Sequence, residues 1–139
     1  MHSRAWRERW QPPVIEHNKL TPWNWMVSHP ENLTLGKCVD IGAFTYIECL
    51  EGVRIGNDVE IGSHCAIYTR STIDNKSGPV QILRGARIGC HTTIMPGVTI
   101  GERAVVGAHS FVTRSIPAGA IAWGVPATVQ GRRDMDARS

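Results

Sequence analysis

The chain has 139 residues, of which 42% are hydrophobic, 19% charged and only 6% aromatic. That length suits one domain and excludes two packed ones, and a net charge of +3 with ordinary apolar content excludes a disordered chain. The small basic excess leaves no broad nucleic-acid footprint, and no apolar run exceeds four residues, too short for a membrane-spanning helix.

The opening stretch, MHSRAWRERWQPP, has no apolar core of the kind a secretory leader carries, so the expected compartment is the cytoplasm. Within it, Ser3 is placed to cap a short helix that puts Trp6 and Trp10 on one face, and Pro12-Pro13 stops that helix. Trp23 and Trp25 follow in a proline-bounded segment. Residues 1–30 therefore read as an extension whose tryptophans cover an open end of the next element or a subunit contact.

An aliphatic residue followed by glycine then recurs: Leu35-Gly36, Ile41-Gly42, Ile55-Gly56, Ile61-Gly62, Ile88-Gly89, Ile100-Gly101 and Val106-Gly107. Most intervals are multiples of six. Filling in the frame puts inward aliphatics at 35, 41, 47, then 55, 61, 67, then 82, 88, 94, then 100, 106, 112. Two extra residues separate 47 from 55 and nine separate 67 from 82, both after the third hexapeptide of a coil. This spacing predicts a triangular solenoid with three short strands per coil. Small residues (Val39, Val59, Ala86, Ala104) fit beside the aliphatics, and the glycines are expected to supply unusual φ at the corners. Neither a helical period nor simple alternation explains the pattern.

Stacked coils bring equivalent residues to about 4.8 Å from one another. The corner after the second hexapeptide then reads Ala43-Phe44, Ser63-His64, Cys90-His91 and Ala108-His109, so three of the six His share one slot. The rings either cover turns in solvent or line a reactive edge. A zinc site is not expected, because an axial ladder points its rings in parallel instead of converging tetrahedrally. Cys38, Cys49, Cys65 and Cys90 match no zinc spacing and occupy four different slots, so no stacked pair can form a disulfide. Most of them read as small buried hydrophobes.

The nine-residue insertion lies in a polar loop, 68–81, with Asn75 and Gly78-Pro79 as turn signals. A loop leaving a regular solenoid is where function concentrates. Beyond the repeat, the terminal RRDMDARS has no apolar period, and the tail 131–139 is expected to fray.

The repeat, together with the segment IMPGVTIGERAVVGAHSFVTRSIPAGAIAWGVPA (94–127), resembles the hexapeptide-repeat acyltransferases over about residues 31–130. The resemblance implies an all-β chain folded as a left-handed parallel β-helix after a short helical or irregular N-terminal segment. It implies acetyl-CoA as co-substrate, no metal, and a homotrimer with active sites between subunits. The turns Cys90-His91 and Ala108-His109 correspond to those along the pantetheine arm of CoA, with His standing where the family usually has Gly. Cys90, Ala108 and His109 are thus cofactor candidates. Arg114, Arg132 and Arg133 are candidates for the CoA phosphates, with solvated surface charge as the alternative.

In the maltose and galactoside acetyltransferases the catalytic His stands five residues after the aliphatic, a position held here by Thr72. The usual base is absent from its usual place. His64, in the coil that launches the loop, is the first candidate to replace it and His91 the second. Glu48 aligns with a carboxylate of related enzymes and is a candidate to orient a base or hold an acceptor ammonium, unless it is a plain turn charge. Cys49 stands where serine acetyltransferases carry their catalytic His, which argues against that subfamily. The loop resembles the sugar-modifying branch, which makes Asp74, Asn75 and Lys76 acceptor contacts. In some sugar N-acetyltransferases of this fold the substrate or water carries the proton. The function implied is acetyl transfer to an amino group of a nucleotide-linked sugar. Alternatives are a sugar O-acetyltransferase, a metalloenzyme like gamma-class carbonic anhydrases, whose His pair at i and i+5 is missing here, and a non-catalytic hexapeptide scaffold.

Overall fold

The computed structural model describes residues 2–133. Short parallel strands stack into three sheets that form the faces of a prism. The first face holds Leu33–Leu35, Val53–Ile55, Val80–Ile82 and Thr99–Ile100. The second holds Asp40–Ile41, Glu60–Ile61, Arg87–Ile88, Val105–Val106 and Ala120–Gly124. The third holds Met26–Ser28, Tyr46–Glu48, Ala66–Ile67, Thr93–Ile94 and Phe111–Val112. The fold is the left-handed parallel β-helix expected.

The register is the six-residue frame made physical. Leu35, Ile55, Ile82 and Ile100 pair in line on the first face. Ile41, Ile61, Ile88 and Val106 do so on the second, and Ile47, Ile67, Ile94 and Val112 on the third. Six of these isoleucines are at most 1% exposed, so the core is a stack of like side chains. Truncating one to Ala costs about 2–5 kcal/mol, because its neighbours above and below are held by their own coils.

The corners correct one expectation. The glycine after each aliphatic does not carry the unusual φ; that falls on the residue three after the aliphatic, namely Cys38, Phe44, Asp58, His64, Gly85, His91, Arg103 and His109. The glycine answers a different need. A Cβ on Gly42 would lie 2.3 Å from the Ser63 nitrogen, and one on Gly101 would lie 2.3 Å from the Ala118 nitrogen. The next coil's backbone passes too close for any side chain.

At the N-terminus the Ser3 hydroxyl accepts from the Trp6 N–H and caps a helix over Arg4–Arg9. Three contacts lay this N-terminal segment against the first two coils. His2 meets Asp40 at 2.7 Å, Arg7 meets Asp58 at 2.6 Å, and the Trp10 indole donates to the Val39 carbonyl at 3.0 Å. Trp25 is 4% exposed and joins the core, whereas Trp23 stays largely in solvent. A cavity of about 400 Å³ remains between Trp6, Trp10, Trp23, Trp25 and the first-coil residues Leu35 and Ile41.

Both ends of the solenoid reach further than the sequence indicates. Met26–Ser28 pairs in parallel with Tyr46–Glu48, so the third face begins before residue 31. At the other end Ala127–Arg132 pairs antiparallel with Ala120–Gly124, and the Arg133 N–H donates to Gly119. The tail expected to fray is therefore ordered through Arg133; its remainder, 134–139, lies outside the described residues. No helix among the described residues is long and apolar enough to cross a membrane.

Candidate active site

Two corners flank the third face, and the candidate residues divide between them. The corner joining the second and third faces carries Phe44, His64, His91 and His109 in four successive coils, at φ of 64°, 57°, 56° and 59°. His is among the residues enriched at such left-handed positions. Each histidine N–H reaches down to a carbonyl of the coil below: His64 to Ala43, His91 to Ser63 and His109 to Cys90, at 2.9–3.0 Å. Because these backbones repeat, the rings repeat. His64 and His91 stack with centroids 4.7 Å apart and planes 6° from parallel, and His91 and His109 at 4.9 Å and 2°. Phe44 closes the lower end 5.3 Å from His64.

All three imidazoles are exposed along one edge. Such an edge suits proton exchange with a molecule lying along it, whereas a tetrahedral ion needs converging donors. Among the described residues no three His, Cys, Asp or Glu side chains group as a metal ion would require.

The corner joining the third and first faces carries the insertion. Arg70–Ser71 pairs antiparallel with Lys76–Ser77, so the expected loop is a small hairpin, and its last residues already belong to the first-face strand Val80–Ile82. The turn places Asp74, Asn75 and Lys76 together in solvent, with Asn75 at φ 55° and Ile73 98% exposed. A hydrogen bond from Ser71, helped by the Lys76 ammonium 3.7 Å away, holds the Asp74 carboxyl below the usual carboxylate range. Thr72 is exposed on the same turn.

Glu48 stands at the base of this hairpin. Its Oε1 accepts from the Thr69 N–H at 3.1 Å and the Arg70 N–H at 2.9 Å. Its Oε2 accepts from the Thr69 hydroxyl at 2.8 Å and from the Leu50 N–H. These partners are backbone and hydroxyl donors, not an imidazole. The sequence reading missed Thr69, fully buried in the slot that Cys49 fills one coil below. Nothing in the six-residue pattern marks it.

The remaining candidates are scattered. Cys90 is half-buried, and its carbonyl is the one that accepts from His109; Ala108 and Arg114 are exposed. Arg132 and Arg133 donate to the carbonyls of Ala118 and Arg103 at 3.4 and 3.1 Å, which ties them to the corner between the first and second faces. The chain does not bring them to the histidines. Burial pushes the Cys49 thiol up to about 12, with the Glu48 charge adding to the effect, and burial raises Cys65 as well. Cys38 and Cys90 are more open, and all four thiols are free.

Residues 79–114 match the family described as bacterial transferase hexapeptide (six repeats). YvoF of Bacillus subtilis, named for acetyltransferase activity, is 30% identical over 121 residues, 81% of this chain and 70% of that protein. Galactoside O-acetyltransferase of Escherichia coli is 49% identical over 53 residues, 38% of this chain and 26% of the enzyme. The chain spans at most 35% of the length of its acetyltransferase relatives from Staphylococcus aureus and Escherichia coli. Among solved structures, the hexapeptide-repeat acetyltransferase VCA0836 of Vibrio cholerae, complexed with acetyl coenzyme A, gives a TM-score of 0.72 at 25% identity, covering 78% of this chain and 64% of that one. A mutant of AntD, an N-acyltransferase from Bacillus cereus in complex with dTDP-4-amino-4,6-dideoxyglucose and coenzyme A, gives 0.56 at 26% identity, covering 80% and 71%. The chain belongs to the hexapeptide-repeat acyltransferase family.

Proposed function

We propose that the protein transfers acetyl from acetyl-CoA to an amino group of a nucleotide-linked sugar. The observation that carries this reading is the exposed ladder of His64, His91 and His109, set on the corner where the family resemblance puts the pantetheine arm. Cys90, Ala108 and His109 line that arm, and Arg114 meets a CoA phosphate. His64 takes a proton from the acceptor amine as its nitrogen bonds to the thioester carbonyl carbon, and His91 is the alternative base. The C–S bond then breaks and the CoA sulfur leaves, taking up the proton the imidazole held.

Asp74, Asn75 and Lys76 contact the acceptor from the hairpin. In one protomer the hairpin and the histidines occupy opposite margins of the third face. Tyr68 stands four positions on from His64, across the extended strand Ala66–Ile67, about 13 Å at the ordinary strand rise and far beyond hydrogen-bond reach. A homotrimer that sets the hairpin edge of one protomer against the histidine edge of the next completes the site. Arg132 and Arg133 then serve only through the corner that a neighbouring protomer presents. The need for acetyl-CoA makes the cytoplasm the working compartment, and four free thiols agree with it.

The likeness to a galactoside O-acetyltransferase favours one second reading, transfer to a sugar hydroxyl. Release of CoA measured against amino sugars, nucleotide-linked amino sugars and galactosides separates the two. The proposal expects the nucleotide-linked amines to react fastest. Turnover of galactosides alone makes the enzyme an O-acetyltransferase, and no turnover of any sugar overturns the proposal.

A further inference from the structure

We infer that Glu48 is the positioning residue of the acceptor hairpin, and that acceptor affinity runs through its carboxylate. The inference rests on the transferase reading for its effect on catalysis, but its geometry stands apart from that reading. Four donors converge on one carboxylate: the N–H groups of Leu50, Thr69 and Arg70, and the Thr69 hydroxyl. The last three belong to Thr69 and to Arg70, where the hairpin's first strand, Arg70–Ser71, begins. The same threonine closes the other leg, since its carbonyl accepts from the Gly78 N–H at 2.9 Å and its hydroxyl accepts from the Glu51 N–H at 3.0 Å. Glu48 and Thr69 therefore fasten both ends of the insertion to the first coil, while its tip, Ile73 to Lys76, stands free in solvent.

The chemistry requires a carboxylate at this point. All four partners donate, so both oxygens must accept, which an ionised carboxylate does and an amide does not. Glu48→Gln keeps the volume but turns an NH2 group toward these donors, and whichever way the amide lies at least one backbone N–H, that of Leu50 or those of Thr69 and Arg70, loses its acceptor. The hairpin base then opens. Because the tip holds the acceptor contacts, opening weakens acceptor binding and leaves the proton transfer at the histidines intact. A Glu48 acting directly on the reaction would show the reverse, a loss in kcat with the hairpin undisturbed.

The test has two arms on Glu48→Gln, with Thr69→Val and Thr69→Ser as companions. Tryptic cutting after Arg70 and Lys76, both exposed, reports the hairpin; the variant should be cut there about tenfold faster, with no change in cutting after Lys37. Thr69→Val should do the same and Thr69→Ser should behave as wild type. With dTDP-4-amino-4,6-dideoxyglucose as acceptor, KM should rise about tenfold while kcat and the acetyl-CoA KM stay within about twofold. Unchanged cutting overturns the positioning role, as does a fall in kcat without a change in acceptor KM. If the wild-type protein does not turn over, the transferase reading fails while the proteolysis arm still decides whether Glu48 anchors the hairpin.

Discussion

His91 lies flat against His109, ring centroids 4.9 Å apart and planes within 2° of parallel, and His64 stacks on its other side at 4.7 Å. Rings so placed share one edge and one line of approach for a ligand, so each has to be tested singly. Alanine is a poor probe here, because these residues sit at φ near 57° and alanine loses that conformation's preference. Asparagine tolerates it. His64→Asn should lower kcat by roughly 10²–10⁴-fold if His64 is the general base. A change of a few-fold only, with the large loss in His91→Asn, moves the role one coil along.

The corner glycines make a sharper stability prediction. Gly42→Ala drives a Cβ into the backbone of Ser63, a separation of 2.3 Å that no rotamer relieves. It should cost about 3 kcal/mol or more, at the upper end of overpacking. Gly97→Ala meets nothing within 4 Å but sits at φ +81°. Its cost is confined to the backbone, about 1–2 kcal/mol. Thermal melts of the two variants check the ranking, and equal shifts would mean that the coils yield where the geometry says they cannot.

Trp25 and Trp23 belong to the same short segment but should behave differently. Trp25 is 4% exposed within the core and Trp23 is 57% exposed. Trp25→Ala should destabilise by about 3–5 kcal/mol and Trp23→Ala by less than about 1 kcal/mol. Urea unfolding of both variants measures this. Similar losses would show that Trp23, too, is essential to closing the coil end.

The cysteines give a prediction in pH. Burial raises the Cys49 thiol from its ordinary 9.0 to about 12, so the folded state favours the protonated form. The stabilisation is fully present below pH 9, the unfolded value, and is lost as pH climbs from 9 toward 12. Urea midpoints taken at about pH 8 and about pH 10.5 should fall further for wild type than for Cys49→Ala. Equal falls would contradict the shift. At the lower pH, a thiol reagent should label Cys38 and Cys90 first and reach Cys49 and Cys65 only on unfolding.

The prism was legible because its signal is periodic. Ile41, Ile61 and Ile88 recur in step with the strands they form, and insertions between coils leave that step intact. The histidine ladder followed from the same frame, since a shared slot in sequence becomes a shared corner in space. The left-handed corner residues were not legible: Cys38, Phe44 and Arg103 are not residues that favour positive φ, and the coil below imposes it. Nor was the bond between Glu48 and Thr69, which joins a side chain to a residue of the next coil at the same corner, outside the repeat. The pairing of Met26–Ser28 with Tyr46–Glu48 was missed for a related reason, because a single strand has no period to betray it.

Isothermal titration of the protein with acetyl-CoA separates a transferase from a bare scaffold of this fold, because the two differ first in whether they bind the donor. Saturable binding of about one acetyl-CoA per chain is expected, weakened by substitution of His109 on the pantetheine edge. Absence of binding up to millimolar donor would contradict it and leave the histidine ladder a solvated ornament of the corner.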